Sequence, residues 1–442
     1  FLRHPEHQSI STGPRRMMSS VNRSLRAIIY MAAALGLPIT VVAQATDNFP
    51  LPDGYVGGPY KVVSADFTGD RRNDVIIGYR SIGVVAVKQG DGQGNLTDLA
   101  LNRLIVPQAH GERHVHNIDH ADLDDDGLLD VALTVGGKGP AHPGFVLLAK
   151  NLGRGVFKTM EKFQTPSEAK GVRLADLDKD GHMDLIYTAR GSGYKGDLAL
   201  GRLLIRQGRT NWKFGPVLES DAGKSAYYVD TADLNNDGFL DIVVPNEHDS
   251  TVTYFLNPGV HLFSMKLSPR PQQVRATQIP GKRSHAINDV RAADLDGDGN
   301  IDLLTANLGT STISIFPGNG DGTFRKDTLL DAGKNGAFLA VGDLDQDGDT
   351  DFVITHWTED FLSVFLNNGS GQFPIRSDYK TASGNYGVTL TDLNQDKRLD
   401  VVTANYRDRS ISILLGKGDG TFHTATTTAQ GLRSRGGTWT PE

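Results

Sequence analysis

The sequence predicts an all-β protein, a seven-bladed β-propeller of four-stranded antiparallel blades. Three observations carry that prediction. One unit recurs seven times, each recurrence has room for about four short strands, and the apolar segments alternate as strands do. The units read ADFTGDRRNDVIIG from Ala65, ADLDDDGLLDVALT from Ala121, ADLDKDGHMDLIYT from Ala175 and ADLNNDGFLDIVVP from Ala232. They continue as ADLDGDGNIDLLTA from Ala293, GDLDQDGDTDFVIT from Gly342 and TDLNQDKRLDVVTA from Thr391. Their leading aspartates stand 49 to 61 residues apart.

Within each unit an apolar strand leads into an aspartate-rich loop, and a second apolar strand leaves it. A third strand and a glycine-rich turn follow, as in STISIFPGNGDGTF from Ser311 and SISILLGKGDGTF from Ser410. Four strands per repeat is the content of a propeller blade, and radial arrangement protects the sheet edges. Residues 46–428 therefore read as one propeller and 429–442 as a C-terminal tail. The ring must also close. Residues 48–56, which include Phe49-Pro50-Leu51-Pro52, are expected to form an outer strand of blade seven, beside or in place of the strand after Phe422.

The first 45 residues read as an address. Arg23 and Arg26 precede the apolar run from Ala27 to Val42, and Ala43-Gln44-Ala45 follows with small residues at the positions a signal peptidase reads. This predicts a signal peptide cleaved after Ala45, with translation starting at Met17 or Met18. The apolar run is short and interrupted by proline, which argues against a membrane span. The expected product is a secreted or periplasmic monomer with no membrane span.

Composition narrows the chemistry. The 442 residues contain no cysteine, which excludes disulfides, Cys-ligated metals and a thiol nucleophile. A net charge of −7 is the wrong sign for a nucleic-acid binder. No G-x-S-x-G, H-E-x-x-H, phosphate-loop or dinucleotide pattern occurs.

The aspartate loops carry the clearest chemistry. Acids fall at positions 1, 3, 5 and 9, glycine usually at 6, and the carbonyl at 7 can add an oxygen. Carboxylates this close repel one another unless a cation joins them, and a D-x-D-x-D-G oxygen set suits calcium. The expected ligands are Asp66, Asp70 and Asp74 in repeat one; Asp122, Asp124, Asp126, Leu128 and Asp130 in repeat two; and Asp176, Asp178, Asp180, His182 and Asp184 in repeat three. Repeat four offers Asp233, Asn235, Asp237, Phe239 and Asp241, and repeat five Asp294, Asp296, Asp298, Asn300 and Asp302. Repeat six offers Asp343, Asp345, Asp347, Asp349 and Asp351, and repeat seven Asp392, Asn394, Asp396, Arg398 and Asp400. Thr68 and Arg71 weaken repeat one, and Lys397 replaces the glycine of repeat seven. The expectation is about five strong calcium sites, in repeats two to six, and up to seven in all. Strands on both sides of each loop argue against true EF-hands, which need helices.

These repeats resemble FG-GAP/VCBS repeats, the blade unit of integrin α-subunit propellers, over residues 48–425. The resemblance implies calcium in the loop joining the first two strands of a blade. It also implies extracellular recognition or adhesion without naming a ligand. Family relatives include sugar-binding propeller lectins and propellers attached to lyases, and fold alone does not choose among them.

Strand direction places the segments before first strands and after second strands on the face opposite the calcium loops. Those segments hold HGERHVHNIDH from His110, with His114, His116 and His120, and also His248, His285, His356, Trp357, Tyr406 and Arg407. The histidines with Glu247 or Asp119 suit a transition metal. The same set suits a sugar site with Trp357 stacked on the ring, and it equally suits polar packing around the channel. The candidate ligand residues are His114, His116, His248, His285, His356, Trp357, Tyr406 and Arg407. Asp119, Arg173, Asp230 and Arg291 occupy equivalent first-strand positions, which predicts ion pairs between blades near the channel. The functional expectation is a calcium-binding, lectin-like recognition or adhesion module for an extracellular glycan or protein. The alternative is a calcium-dependent lyase or hydrolase acting on polysaccharide.

Overall fold

The computed structural model describes residues 57–80, 83–106, 114–137, 143–191, 200–264, 271–277, 279, 286–429, 432–435 and 438–441. Seven four-stranded antiparallel sheets follow one another along the chain, each built from consecutive strands. The first strands are Pro59–Ala65, Val115–Ala121, Ala169–Ala175, Asp230–Ala232, Ile287–Ala293, Gly336–Gly342 and Asn385–Thr391, and they line a central channel. The second strands are Asp74–Tyr79, Asp130–Val135, Asp184–Ala189, Asp241–Asn246, Asp302–Asn307, Asp351–His356 and Asp400–Asn405. All seven are buried from end to end.

That burial explains the sequence pattern. A second strand is covered on both faces by neighbouring blades, so it reads as a continuous apolar run rather than an alternation. Fourth strands lie at the rim and turn polar, as in Phe157–Gln164, where most side chains are exposed. Seven apolar clusters fill the seven spaces between adjacent blades. Each fully buried Val, Leu or Ile contributes about 1.5–3 kcal/mol. Buried threonines on the second strands reach the next blade: Thr134 Oγ1 donates to the Lys170 carbonyl at 2.7 Å, and Thr355 Oγ1 to that of Tyr386 at 2.9 Å.

The ring closes by packing between blades one and seven. Val62, Val75 and Ile77 of blade one meet Leu393, Val402 and Ile411 of blade seven. Ser64 Oγ donates to Thr391 Oγ1 at 3.0 Å, and Asn73 Nδ2 to the Asp392 carbonyl at 2.9 Å. Thr426–Ala429, after Phe422, is the fourth strand of blade seven and pairs with Ser410–Leu414. Residues 48–56, expected beside or in place of that strand, lie outside the described ones, as do the proposed signal peptide, Met17 and Met18. The C-terminal tail contains a hairpin, Leu432–Arg435 with Thr438–Pro441. Among the described residues the one α-helix is the single turn His261–Ser264, and no helix is long and apolar enough to cross a membrane.

Candidate functional site

All seven aspartate loops share one backbone. The position 1 carboxylate accepts the N–H of position 6 in every blade, at 2.6 to 3.1 Å. Position 9 is enclosed, with one oxygen taking the N–H of position 2 and the other an N–H at the end of the third strand. The ninth aspartate is thus a staple between loop and sheet in every blade. Position 6 has positive φ throughout, including Arg71 (65°) and Lys397 (67°), where the sequence departs from glycine. Position 4 is left-handed in every blade as well, which sequence reading missed because Gly69, Asp125, Lys179, Asn236, Gly297, Gln346 and Gln395 share no side-chain type.

The staples also feel their burial. It pushes Asp130, Asp241, Asp302 and Asp351 up to about 6 and Asp184 up to about 8, and it raises Asp74 and Asp400, although the N–H donors act in the opposite direction.

Positions 3 and 5 separate the blades. One oxygen from each of three acids comes within 4.8 Å of the others in blades two, three, five and six. In blade three Asp178 Oδ1 is buried without a hydrogen-bond partner, and burial, then Asp180, raises that carboxyl. In blade six burial, then Asp347, raises Asp345. Among the described residues neither acid pair has a counter-charge, and their oxygens suit a divalent cation. Blade five holds Asp296 and Asp298, with Arg325 half-exposed at 3.2 and 3.8 Å. In blades four and seven the amides of Asn235 and Asn394 bridge to Asp237 and Asp396 at 3.0 Å. The N–H of position 7 (Leu128, His182, Phe239, Asn300, Asp349 or Arg398) donates to position 5 and holds that peptide beside the acids.

In blades one and two a cation sits closer to the acids than Arg325 does in blade five or Arg398, 3.8 Å from Asp396, does in blade seven. Arg72 binds Asp70 through Nε and Nη2 at 3.1 and 2.6 Å. In blade two the Lys150 ammonium binds Asp124 and lies 2.9 Å from Asp126, while Trp212 Nε1 of blade three donates to Asp124 at 2.8 Å. Lys150 is the last residue before the third-strand end that the staple grips. Gln89 and Gln207 fill its place in blades one and three and reach Asp70 and Asp178.

Among the described residues, two side-chain groups stand on the opposite face. On one side, Trp357, Tyr386 and Tyr406 stand edge to face, with centroids 5.9 and 6.1 Å apart. The Arg407 guanidinium lies 5.2 Å over Trp357, and Arg80 lies 5.2 and 5.9 Å over Tyr60 and Tyr406. On the other side runs a chain of charges. His116 Nε2 is 3.2 Å from Glu168, which is 2.9 Å from Lys170 and 3.4 Å from Arg190; Arg190 in turn pairs with Glu247, beside His248 at 3.6 Å. The His114 ring centroid is 5.8 Å from that of His116. Burial, then Lys170, pushes His116 down to about 3, so it is neutral. Burial opposes charge on Glu168, but Lys170 and His116 hold it well below the usual carboxylate range.

The structure therefore divides the candidate ligand residues. Trp357, Tyr406 and Arg407 come together and are partly or fully exposed. His114, His116 and His248 belong to the charged chain, in which His116 is enclosed. His356 is fully buried, with Nδ1 at the Lys334 carbonyl (2.9 Å) and Nε2 at Ser363 Oγ (2.8 Å), so its ring is engaged by the fold. His285 lies outside the described residues. Sequence reading passed over Arg80 and Arg190, yet both stand six residues after a ninth-position aspartate, as do Glu247, Trp357 and Tyr406. The expected ion pairs form around Arg173, 2.6 Å from Asp230 and 3.7 Å from Asp119, whereas Arg291 pairs with Asp289 of its own strand at 3.0 Å.

These features define a seven-bladed β-propeller with an aspartate loop at one end of every blade. The family model for the FG-GAP-like repeat matches residues 122–187, 294–354 and 343–403. The fold is thus a β-propeller in which these stretches match FG-GAP-like repeats. No curated protein matches it. Among solved structures it is similar to an Agrocybe aegerita lectin described as recognising non-reducing terminal N-acetylglucosamine. That likeness has 20% identity and a TM-score of 0.54, covering 83% of this chain and 93% of the lectin. It is also similar to a virginiamycin B lyase from Staphylococcus aureus, at 14% identity and a TM-score of 0.47, covering 82% and 93%. The likeness to the lectin is one of fold.

Proposed function

We propose that this protein is a secreted, calcium-stabilised recognition propeller that binds an extracellular glycan on the face opposite its aspartate loops. The observation that supports this is the aromatic and guanidinium platform of Trp357, Tyr406, Arg407 and Arg80. Aromatic faces stack on the apolar side of a sugar ring, and arginine forks supply fixed donors to its hydroxyls. Calcium, held by the open acid clusters of blades three, five and six, would join carboxylates that otherwise repel. A first strand of seven residues spans about 23 Å, so the ions act on the platform through blade rigidity and not as ligand contacts. The enzymatic alternative has Glu168 and His116 as its best pair, but both are enclosed and tied to Lys170 and Arg190, so we carry the binding reading.

The test is a glycan array with and without chelator, on which terminal N-acetylglucosamine belongs because it is the sugar named for the similar lectin. Trp357→Ala and Arg407→Ala should each weaken a hit about tenfold, and the exposed Arg407→Ala should leave the melting temperature within about 1 °C. A ligand bound equally well by both variants would remove the platform from the site.

A further inference from the structure

The central channel holds a cavity of about 360 Å³, lined by all seven first strands. Its upper end is closed by an aromatic plug of Tyr60, Tyr227, Tyr228, Phe338 and Tyr386, whose ring centroids lie 4.3 to 6.4 Å apart. Toward the aspartate loops the lining residues Ser64, His120, Arg291 and Val341 are part-exposed. The cavity is thus blind at one end and wet at the other. At about 30 Å³ per water it has room for roughly twelve waters, or one solute the size of a monosaccharide.

Six charged side chains stand in or beside this cavity. In number they balance: Lys61, Arg173 and Arg291 against Asp119, Asp230 and Asp289. In geometry they do not. Asp119 faces Arg173 with one oxygen and takes the Leu174 N–H with the other. Asp230 binds Arg173 and takes the Ala292 N–H. Asp289 takes the N–H groups of Val290 and Leu339 and binds Arg291. Every carboxylate oxygen is engaged, and Lys61 is left over. Its ammonium lies 5.4 Å from the Tyr228 ring centroid and makes no ion pair with any described residue.

We infer that the channel cavity binds a small oxyanion, with Lys61, the cation its three acids leave unpaired, as the recognising group. Burial, then the neighbouring Arg291, pushes Lys61 down to about 8, and an anion seated beside it would relieve both effects. Desolvated cations of this kind form strong charge-assisted hydrogen bonds when an oxyanion arrives. The site lies within the ring of first strands and does not depend on the aromatic platform. Its ligand is a carboxylate- or sulfate-bearing solute no larger than a monosaccharide.

Calorimetric titration of the full chain in calcium buffer, at fixed ionic strength, tests this with D-glucuronate, inorganic sulfate and D-glucose. Saturable binding of either anion supports the site, and which anion binds tells a sugar acid from an inorganic one. Lys61→Met should weaken that binding about tenfold or more, and D-glucose should show none. In the unmutated protein the bound anion should also protect Lys61 from reductive methylation, read by mass spectrometry. The inference is overturned if neither anion binds, if glucose binds as tightly as glucuronate, if Lys61→Met binds like the parent, or if the anion gives no protection.

Discussion

Lys150→Met should convert blade two into a calcium site. In the native chain the Lys150 ammonium joins Asp124 and Asp126, and Asp124 Oδ1 is buried with no hydrogen-bond partner. Losing a charge-assisted contact of this type costs about 1.5–3 kcal/mol. The unfolding entropy is about 2.1 cal/mol/K per residue, and over the roughly 390 residues of the propeller it comes to about 0.8 kcal/mol/K. In chelator the variant should therefore melt about 3 °C below the parent. Methionine, however, removes the ammonium from Asp124, one of the three acids (with Asp122 and Asp130) already spaced for an ion. Calcium at 100 times its Kd returns about 2.7 kcal/mol, or about 3 °C on the same scale, so in calcium the gap should close to about zero. Elemental analysis after gel filtration should find calcium bound by blades three, five and six in the parent, and one ion more in the variant. Scanning fluorimetry in EDTA and in calcium supplies the temperatures. An unchanged calcium count with the gap persisting in calcium would refute the reasoning. So would loss of one ion from the parent on Asp124→Asn, because blade two would then hold calcium despite Lys150.

Two further expectations follow from the loops. The ninth-position aspartates have folded pKa values above their unfolded value near 4, at about 6 for Asp130 and about 8 for Asp184. Without metal the native state therefore binds more protons than the unfolded state across pH 4 to 8, and its stability falls as pH rises through that window; the drop in melting temperature caused by EDTA should grow from pH 5 to pH 8, and a drop independent of pH would contradict this. Arg71 and Lys397 hold left-handed backbone that costs an L-residue about 1–2 kcal/mol, partly offset by the extra chain entropy of glycine, so the double variant Arg71→Gly/Lys397→Gly should melt about 1 °C higher, and a lower value would show that the side chains themselves support the loops.

What the sequence made legible follows from what repeats. Seven copies of one acid spacing specify seven loops, and those loops adopt one backbone even in repeats one and seven, where side chains depart from the pattern. The counter-charge of blade two was not legible, because it comes from the third strand, some twenty residues away in sequence, whereas that of blade one, Arg72, lies in the loop itself. Lys150 looks like any rim lysine until the strand end carries it onto Asp124. Arg80 and Arg190 were legible in principle, since aligning the repeats on the ninth aspartate sets them beside Trp357 and Tyr406, but the histidines drew attention instead. The histidines divide by a single step along the chain. His356 is the last residue of a second strand, which is covered on both faces by neighbouring blades, and it is sealed. Trp357, one residue later, has left the sheet and carries its ring to the open face beside Arg407. A histidine at a strand end and a tryptophan just past it look equally available in a sequence. The sheet boundary decides which of them can meet a ligand, and that boundary is set by how far the neighbouring blades reach.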